Sequence, residues 1–262
     1  MDEKVAIDSK NLPAHIAVIM DGNGRWAEDK GQDRLFGHMN GVESVRNVVE
    51  GCAELEIQYL TLYAFSKENW DRPQYEVEGL MELLVDTINK EVPTLNKNNI
   101  KLHFIGDFSL LSEKTLQQLQ ESIQNTSKNT GLNLIIAISY SSRWEIADAA
   151  RRIAIDVLDG KLSPEQISQD NFGKYLITSN FPDPELIIRT SGEYRISNFL
   201  LYQMAYSELF FTQVLWPDFR KKDLYEAILD FQKRERRFGK TGKQLKHEIA
   251  TTNSNTTNGN ND

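Results

Sequence analysis

Cysteine is almost missing from this chain: Cys52 is the one example in 262 residues. A lone cysteine excludes an internal disulfide framework, and with only four histidines a zinc site is not expected either. Cys52 falls within a helical pattern and is expected to be a packed thiol, not a nucleophile. Such sparing thiol use fits a reducing, cytoplasmic compartment. No apolar run approaches the roughly 18 residues that a membrane-spanning helix needs. Met1-Asp2-Glu3-Lys4 has neither the basic start nor the apolar stretch of a signal peptide. Positive charge is also in deficit, with 30 Lys and Arg against 38 Asp and Glu, a net −8 at pH 7. That balance opposes polyanions and argues against nucleic acid as a partner. A small anionic ligand is not excluded, because it answers to local arginines.

What the chain does contain is a series of apolar runs, each closed by a polar turn. They span 16–20, 59–65, 100–105, 132–138, 186–188 and, briefly, 214–216, and they read as buried strands. Helical patterns lie between or after them at 34–54, 73–96, 109–127, 142–158, 198–206 and 221–237. The one from Pro73 carries Val77, Met81, Leu84, Ile88, Val92 and Leu95 on one stripe. This alternation predicts right-handed crossovers and an α/β fold, a single domain with a central, mostly parallel six-stranded sheet flanked by helices. The expected boundaries are a flexible N-terminus at 1–11, a catalytic domain over 12–245 and a disordered polar tail at 246–262. The charge run Lys233-Arg234-Glu235-Arg236-Arg237 reads as a solvated helix face.

Chemistry-bearing residues gather at one place in this pattern. Asp21-Gly22-Asn23-Gly24-Arg25-Trp26 follows the first strand and Ser66-Lys67-Glu68-Asn69-Trp70 the second. Ser139-Tyr140-Ser141-Ser142-Arg143 follows the fourth, and Arg189-Thr190-Ser191-Gly192-Glu193 the fifth. Carboxyl ends of strands are where open parallel sheets place their ligand crevices. The glycines around Asn23 permit positive φ and close approach of backbone N–H groups to an anion. A helix starting in GRWAEDK would point its N-terminus at the same spot. Arg25, Arg34, Arg72, Arg189 and Arg195 offer planar forks for phosphate, enough for two diphosphates. His38 shares a helix face with Arg34, and Ser197 adds a hydroxyl. Asp21 is the first candidate metal ligand and Glu208, set in an apolar stretch, the second. Mg²⁺ suits them, since it takes one or two carboxylates plus phosphate oxygens. Nucleotide motifs are absent: there is no G-x-x-x-x-G-K-[ST] and no G-x-G-x-x-G after a strand. Nor is there an Asp-Asp pair, so the aspartate-rich motif of trans-type prenyl synthases is missing.

Taken together, HIAVIMDGNGRWA, RLFGHMNG, TLYAFSKENWDRP, EVEGLMELL, NTGLNL, IRTSGEYRISNFLLYQMAYSELFFTQVLWPDF and RERRFG closely resemble the cis-prenyltransferase family, specifically its bacterial undecaprenyl diphosphate synthase branch. The likeness covers about residues 12 to 240 in one order. The resemblance implies Mg²⁺-dependent, sequential cis-condensation of isopentenyl diphosphate with an allylic diphosphate, usually farnesyl diphosphate. Its product would be a long-chain polyprenyl diphosphate such as undecaprenyl diphosphate, the lipid carrier precursor for cell-wall polysaccharide and peptidoglycan. By the same resemblance Asp21 holds Mg²⁺ with help from Glu208, while Gly22, Asn23, Gly24, Arg25, Arg34 and His38 grip the allylic diphosphate. Arg189, Arg195 and Ser197 match the isopentenyl diphosphate site, and Ile196 is a further substrate-binding position. Trp26, Ser66, Lys67, Glu68, Trp70 and Arg72 match other substrate contacts, some on a closing loop. Asn69 matches the proposed proton acceptor, although an amide is a poor base and is better suited to orienting the proton. The family also implies a homodimer, an apolar product tunnel walled by Leu80, Met81, Leu84, Val85, Ile88 and strand 132–138, and peripheral membrane contact for product release.

Three departures stand out. The family's usual Asn-Tyr-Gly-Gly-Arg is Ser139-Tyr140-Ser141-Ser142-Arg143, its Arg-Thr-Gly-Gly-Glu is Arg189-Thr190-Ser191-Gly192-Glu193, and Tyr194 stands where histidine is frequent. None removes a phosphate or metal ligand. A non-catalytic subunit would be expected to have lost Asp21, Asn69 or the arginine loops, and all are present. A phosphohydrolase using Asp21 as nucleophile would want a second aspartate at position 23, which is Asn.

Overall fold

The computed structural model describes residues 3–236. Six strands form one sheet: β1 (His15–Ile19), β2 (Tyr59–Ser66), β3 (Lys101–Ile105), β4 (Asn133–Tyr140), β5 (Leu186–Arg189) and β6 (Glu208–Phe211). Their spatial order is β3-β4-β2-β1-β5-β6, and every pairing is parallel. The helices are α1 (Asn23–Glu28), α2 (Arg34–Glu54), α3 (Gln74–Lys97), α4 (Glu113–Thr126), α5 (Ser142–Leu158), α6 (Gln169–Gly173) and α7 (Lys221–Gln232). The expected α/β architecture with a parallel six-stranded sheet is what forms. Backbone contacts divide the chain into a unit over 1–232, which holds the sheet, and a unit over 233–262, of which 233–236 are described.

Strand periodicity splits the core. Ile16, Val18, Leu60, Leu62, Leu134, Ile136, Leu186 and Ile188 point to one face of the sheet and cluster with α2, α3 and α7 residues. Ala17, Ile19, Tyr63, Ile135, Ala137 and Ile187 point to the other, with Tyr140, Phe199 and Leu200. Because both faces are covered, the strands read as continuous apolar runs and not as alternation. The order reverses at β1, which has β2 on one side and β5 on the other. That reversal opens a crevice beyond the carboxyl ends of β1, β2 and β5.

Several expected elements differ. The sixth strand is Glu208–Phe211, not 214–216; Trp216 instead opens a short 3-10 turn with Pro217, and its N–H reaches Asp21 O at 3.1 Å. The helix expected at 198–206 shrinks to a 3-10 turn at Gln203–Tyr206. Ser197, Asn198 and Leu200 hold φ of 47°, 60° and 47°, a left-handed run that cannot enter a right-handed helix. Helix α4 starts at Glu113, because the Ser112 side chain accepts from Thr115 N and caps it. Helix α7 ends at Gln232, so the basic run does not continue it; Arg237 and the tail 246–262 lie outside the described residues. In the N-terminal segment expected to be flexible, Gln232 donates to Asp8 O and Asn11 O, and Lys4 pairs with Glu54. Cys52 is buried within α2, and burial pushes its thiol pKa up, as a packed thiol requires.

Candidate active site

Asp21 leaves β1 two residues beyond Ile19, beside the end of β5. Arg189, the last residue of β5, is 3% exposed and donates from Nη2 to Asp21 Oδ2 at 2.7 Å. Its Nη1 donates to Arg195 O at 2.5 Å and to Ser197 Oγ at 2.7 Å. One buried guanidinium thus ties the β1 loop to the loop after β5. Gly22 N donates to Asp21 Oδ1 at 2.7 Å, and the Thr190 hydroxyl donates to Asp21 O at 2.6 Å. Gly22 sits at φ 107°, and an added Cβ would lie 2.9 Å from Leu215 Cδ2, so only glycine turns the chain here. Burial acts to raise the Asp21 pKa, but the hydrogen bond and charge of Arg189, with the Gly22 amide, outweigh it and hold the carboxyl below its ordinary value.

A second basic group faces this one across the crevice. Arg34, at the start of α2, donates from Nε to Glu76 Oε1 at 3.3 Å, and Arg72 Nη1 donates to the same oxygen at 3.0 Å. Glu76 is 7% exposed, a buried carboxylate bridging two arginines. A Cβ on Gly24 would fall 2.8 Å from Arg34 Cζ, which is how closely the arginine lies over α1. His38 is half-buried beside them; burial, then the charges of Arg72 and Arg34, lower its pKa from 6.5 to about 4. The ring is therefore neutral near pH 7. Asn69 Oδ1 accepts from Ser66 N at 3.1 Å, and Trp70 Nε1 donates to Ser139 Oγ at 2.8 Å, holding the 3-10 turn Lys67–Asp71 after β2.

From this charged mouth a cavity of about 590 Å³ runs between the sheet and helices α2 and α3. Its mouth includes Asp21, Asn23, His38, Asn69, Arg72 and Arg189. Its body is lined by Leu62, Leu80, Met81, Leu84, Ile88 and Ile136, and it extends along α3 as far as Asn98. At 1.5 Å per residue, Leu80 to Asn98 is about 27 Å of helix. Near the far end Arg46 of α2 meets Glu91 of α3 at 2.6 Å. Val85, expected in the wall, is buried but does not line the cavity.

A charged mouth on a long apolar channel fits a ligand with a phosphate head and a hydrocarbon tail. A family profile described as "Putative undecaprenyl diphosphate synthase" matches residues 19–239. The chain belongs to this family. It is 55% identical over 235 residues to an isoprenyl transferase of Chlorobaculum tepidum, covering 90% of this chain and 89% of that protein. It is 50% identical to a ditrans,polycis-undecaprenyl-diphosphate synthase of Vibrio vulnificus, described as (2E,6E)-farnesyl-diphosphate specific, over 91% and 95% of the two chains. Among solved structures, lavandulyl diphosphate synthase from Lavandula x intermedia, in complex with dimethylallyl diphosphate, superimposes with a TM-score of 0.85 at 35% identity. That match covers 88% of this chain and all of the other.

Of the expected site residues, Asp21, Gly22, Asn23, Gly24, Arg34, His38, Ser66, Asn69, Arg72, Arg189 and Ser197 line the cavity. Arg25 and Arg195 do not line it; Arg25 lies 3.9 Å from Asp21, and Glu193 pairs with both arginines. Four others are engaged elsewhere. Trp26 stacks on Phe36 under Lys30, Lys67 pairs with Asp107, Glu68 accepts from Asn198, and Trp70 packs on Phe65. Ile196 is partly buried and packs against the core of the face opposite the cavity.

Glu208 stands apart from Asp21. It begins β6 in register with Leu186, whereas Arg189 and Phe211 mark the end nearest Asp21. Three strand residues, about 10 Å, separate those levels, so within one chain Asp21 and Glu208 do not meet on one ion. Among the described residues no three His, Cys, Asp or Glu side chains form a metal cluster. A cation here would need oxygens from its ligand. Glu76, Glu193 and Thr190 are not singled out by the sequence; the one signal for Glu76 is its spacing of four from Arg72, at the entry to α3.

Proposed function

We propose that the chain is an isoprenyl transferase that condenses isopentenyl diphosphate onto an allylic diphosphate, farnesyl diphosphate as primer, to build a long polyprenyl diphosphate. The observation that carries this reading is the joining of two arginine groups at one mouth to a largely apolar cavity that follows α3 from Leu80 to Asn98. Asn23, Gly24, Arg34 and His38 take the allylic diphosphate, with Arg25 beside Asp21. Arg195 and Ser197 take that of isopentenyl diphosphate, with Arg189 between the two. A neutral His38 donates one hydrogen bond without adding charge.

The residues present fit Mg²⁺. Asp21 is ionised and keyed to the mouth, and the acceptor Asn23 Oδ1 is buried there without a partner among the described residues. Asp21 would hold the ion, with diphosphate oxygens completing its shell. Bound there, Mg²⁺ would neutralise charge on the leaving diphosphate. Arg189, Arg34 and Arg25 add fixed positive charge where that group departs. The carbon chain, held in line by Leu84 and Ile136, then meets the alkene of the second substrate. Asn69 is a poor proton acceptor, because an amide is a very weak base, and its carbonyl oxygen is held by Ser66 N. It orients the losing carbon, and diphosphate oxygen serves as base. The chain acts as a homodimer in the cytoplasm, and product release brings it to a membrane surface. By analogy the product is undecaprenyl diphosphate, about eleven isoprene units long, destined for cell-wall polysaccharide.

The test is incubation of the purified chain with farnesyl diphosphate, labelled isopentenyl diphosphate and Mg²⁺, with products weighed by mass spectrometry. A ladder of isoprene additions is expected. Phosphate release without elongation would overturn the reading.

A further inference from the structure

The departures from the family's Asn-Tyr-Gly-Gly-Arg place hydroxyls where a neighbouring loop comes to rest. Asn198 lies at their centre. Its Nδ2 donates to Ser141 Oγ at 2.7 Å and to Glu68 Oε1 at 2.7 Å. Its Oδ1 accepts from Arg143 N at 3.0 Å, and its backbone carbonyl accepts from Ser142 N at 2.9 Å. The Ser142 hydroxyl in turn accepts from Leu201 N at 2.8 Å. One half-buried side chain therefore joins three strand-end segments: the turn after β2, the start of α5 after β4, and the loop after β5.

No other residue type does this as well. The position holds φ 60°, which asparagine tolerates better than most. Two donors and one acceptor are all engaged, and aspartate lacks the donors. The bond to Glu68 is charge-assisted and so stronger than a neutral one. Glu68 precedes Asn69, and Asn198 follows Ser197, which accepts from Arg189. We propose that Asn198 is a positioning residue that registers the loop of Arg195 and Ser197 against the loop of Asn69, and so sets the second substrate against the first. The inference rests on the transferase reading above but is read out separately from it.

The discriminating variant is Asn198→Asp, which sets a carboxylate against Glu68. Its kcat with farnesyl and isopentenyl diphosphates is expected to fall about tenfold or more, with KM for isopentenyl diphosphate raised and farnesyl diphosphate binding alone unchanged. Adding Glu68→Gln should raise the rate of that variant, because the new amide donates to the new carboxylate, whereas Glu68→Gln alone should lower the rate of the parent. If Glu68→Gln lowers both by the same factor, the coupling does not exist. Hydrogen exchange supplies a readout without turnover. In Asn198→Ala the amides of 66–72 and of 194–201 should exchange faster together; faster exchange in 194–201 alone would overturn the proposal. A parent chain that fails to elongate any prenyl substrate would remove the transferase reading while leaving the exchange result intact.

Discussion

The two ends of the cavity are built by different means. Its mouth is made of loops after strands, with Ser191, Ser197 and Asn198 in left-handed conformations and Arg189 fixed by three groups. Its body is made of helix and strand, with apolar side chains in ordinary registers. The mouth stores positive φ and buried charge, both costly, and both common where chemistry is done. The body is mostly apolar and offers shape, with the Arg46–Glu91 pair near its far end. Rate should therefore depend on the mouth, and product length on the body.

Three changes test that division. Asp21→Asn keeps the side chain's size and removes its charge; turnover should fall by about a thousandfold or more. Circular dichroism should show the fold retained, and near-normal turnover would unseat Asp21 as the residue holding the cation. In the body, Leu84→Trp fills the channel from α3 and should shorten the product ladder, while the first condensation stays within about threefold of the parent. If the ladder kept its length and every step slowed equally, mouth and body would not be separable.

The smallest effect concerns acid. His38 and the buried His15 both have pKa values lowered from 6.5 to about 4 by burial, His38 also by Arg72 and Arg34. A histidine depressed in the fold contributes stability that is full above 6.5 and is lost as pH falls toward 4. Asp21, also depressed, adds a loss at lower pH, as its carboxyl protonates. His38→Gln should remove about 1–2 kcal/mol of the loss between pH 6.5 and 4, after allowance for its partial exposure. Urea midpoints across that range would read it, and an unchanged slope would mean that His38 is not held neutral by the mouth.

Much of this was legible before folding. The strands covered on both faces, the long α2 and α3 and the four strand-end loops follow from apolar runs and punctuation, because burial on both faces forces continuous apolar strands. The loop after β5 reads as helix from sequence, since Leu200, Leu201 and Gln203 are good helix formers and nothing local announces three left-handed residues. The last strand was displaced for a related reason. Val214–Trp216 is as apolar as Glu208–Phe211, and only the pairing of Leu186 with Glu208 chooses between them.

The sequence alone determined the parallel α/β class, the placing of arginines and Asp21 at strand ends, and the apolar stripe of α3. Each is a local pattern whose meaning survives any tertiary arrangement. Only the folded chain decided that Glu76 bridges Arg34 and Arg72, that Glu208 stands at the wrong end of its strand to join Asp21, and that Asn198 links three loops. Those facts depend on register and on distances between residues far apart in the chain, and no periodicity along a single strand encodes them.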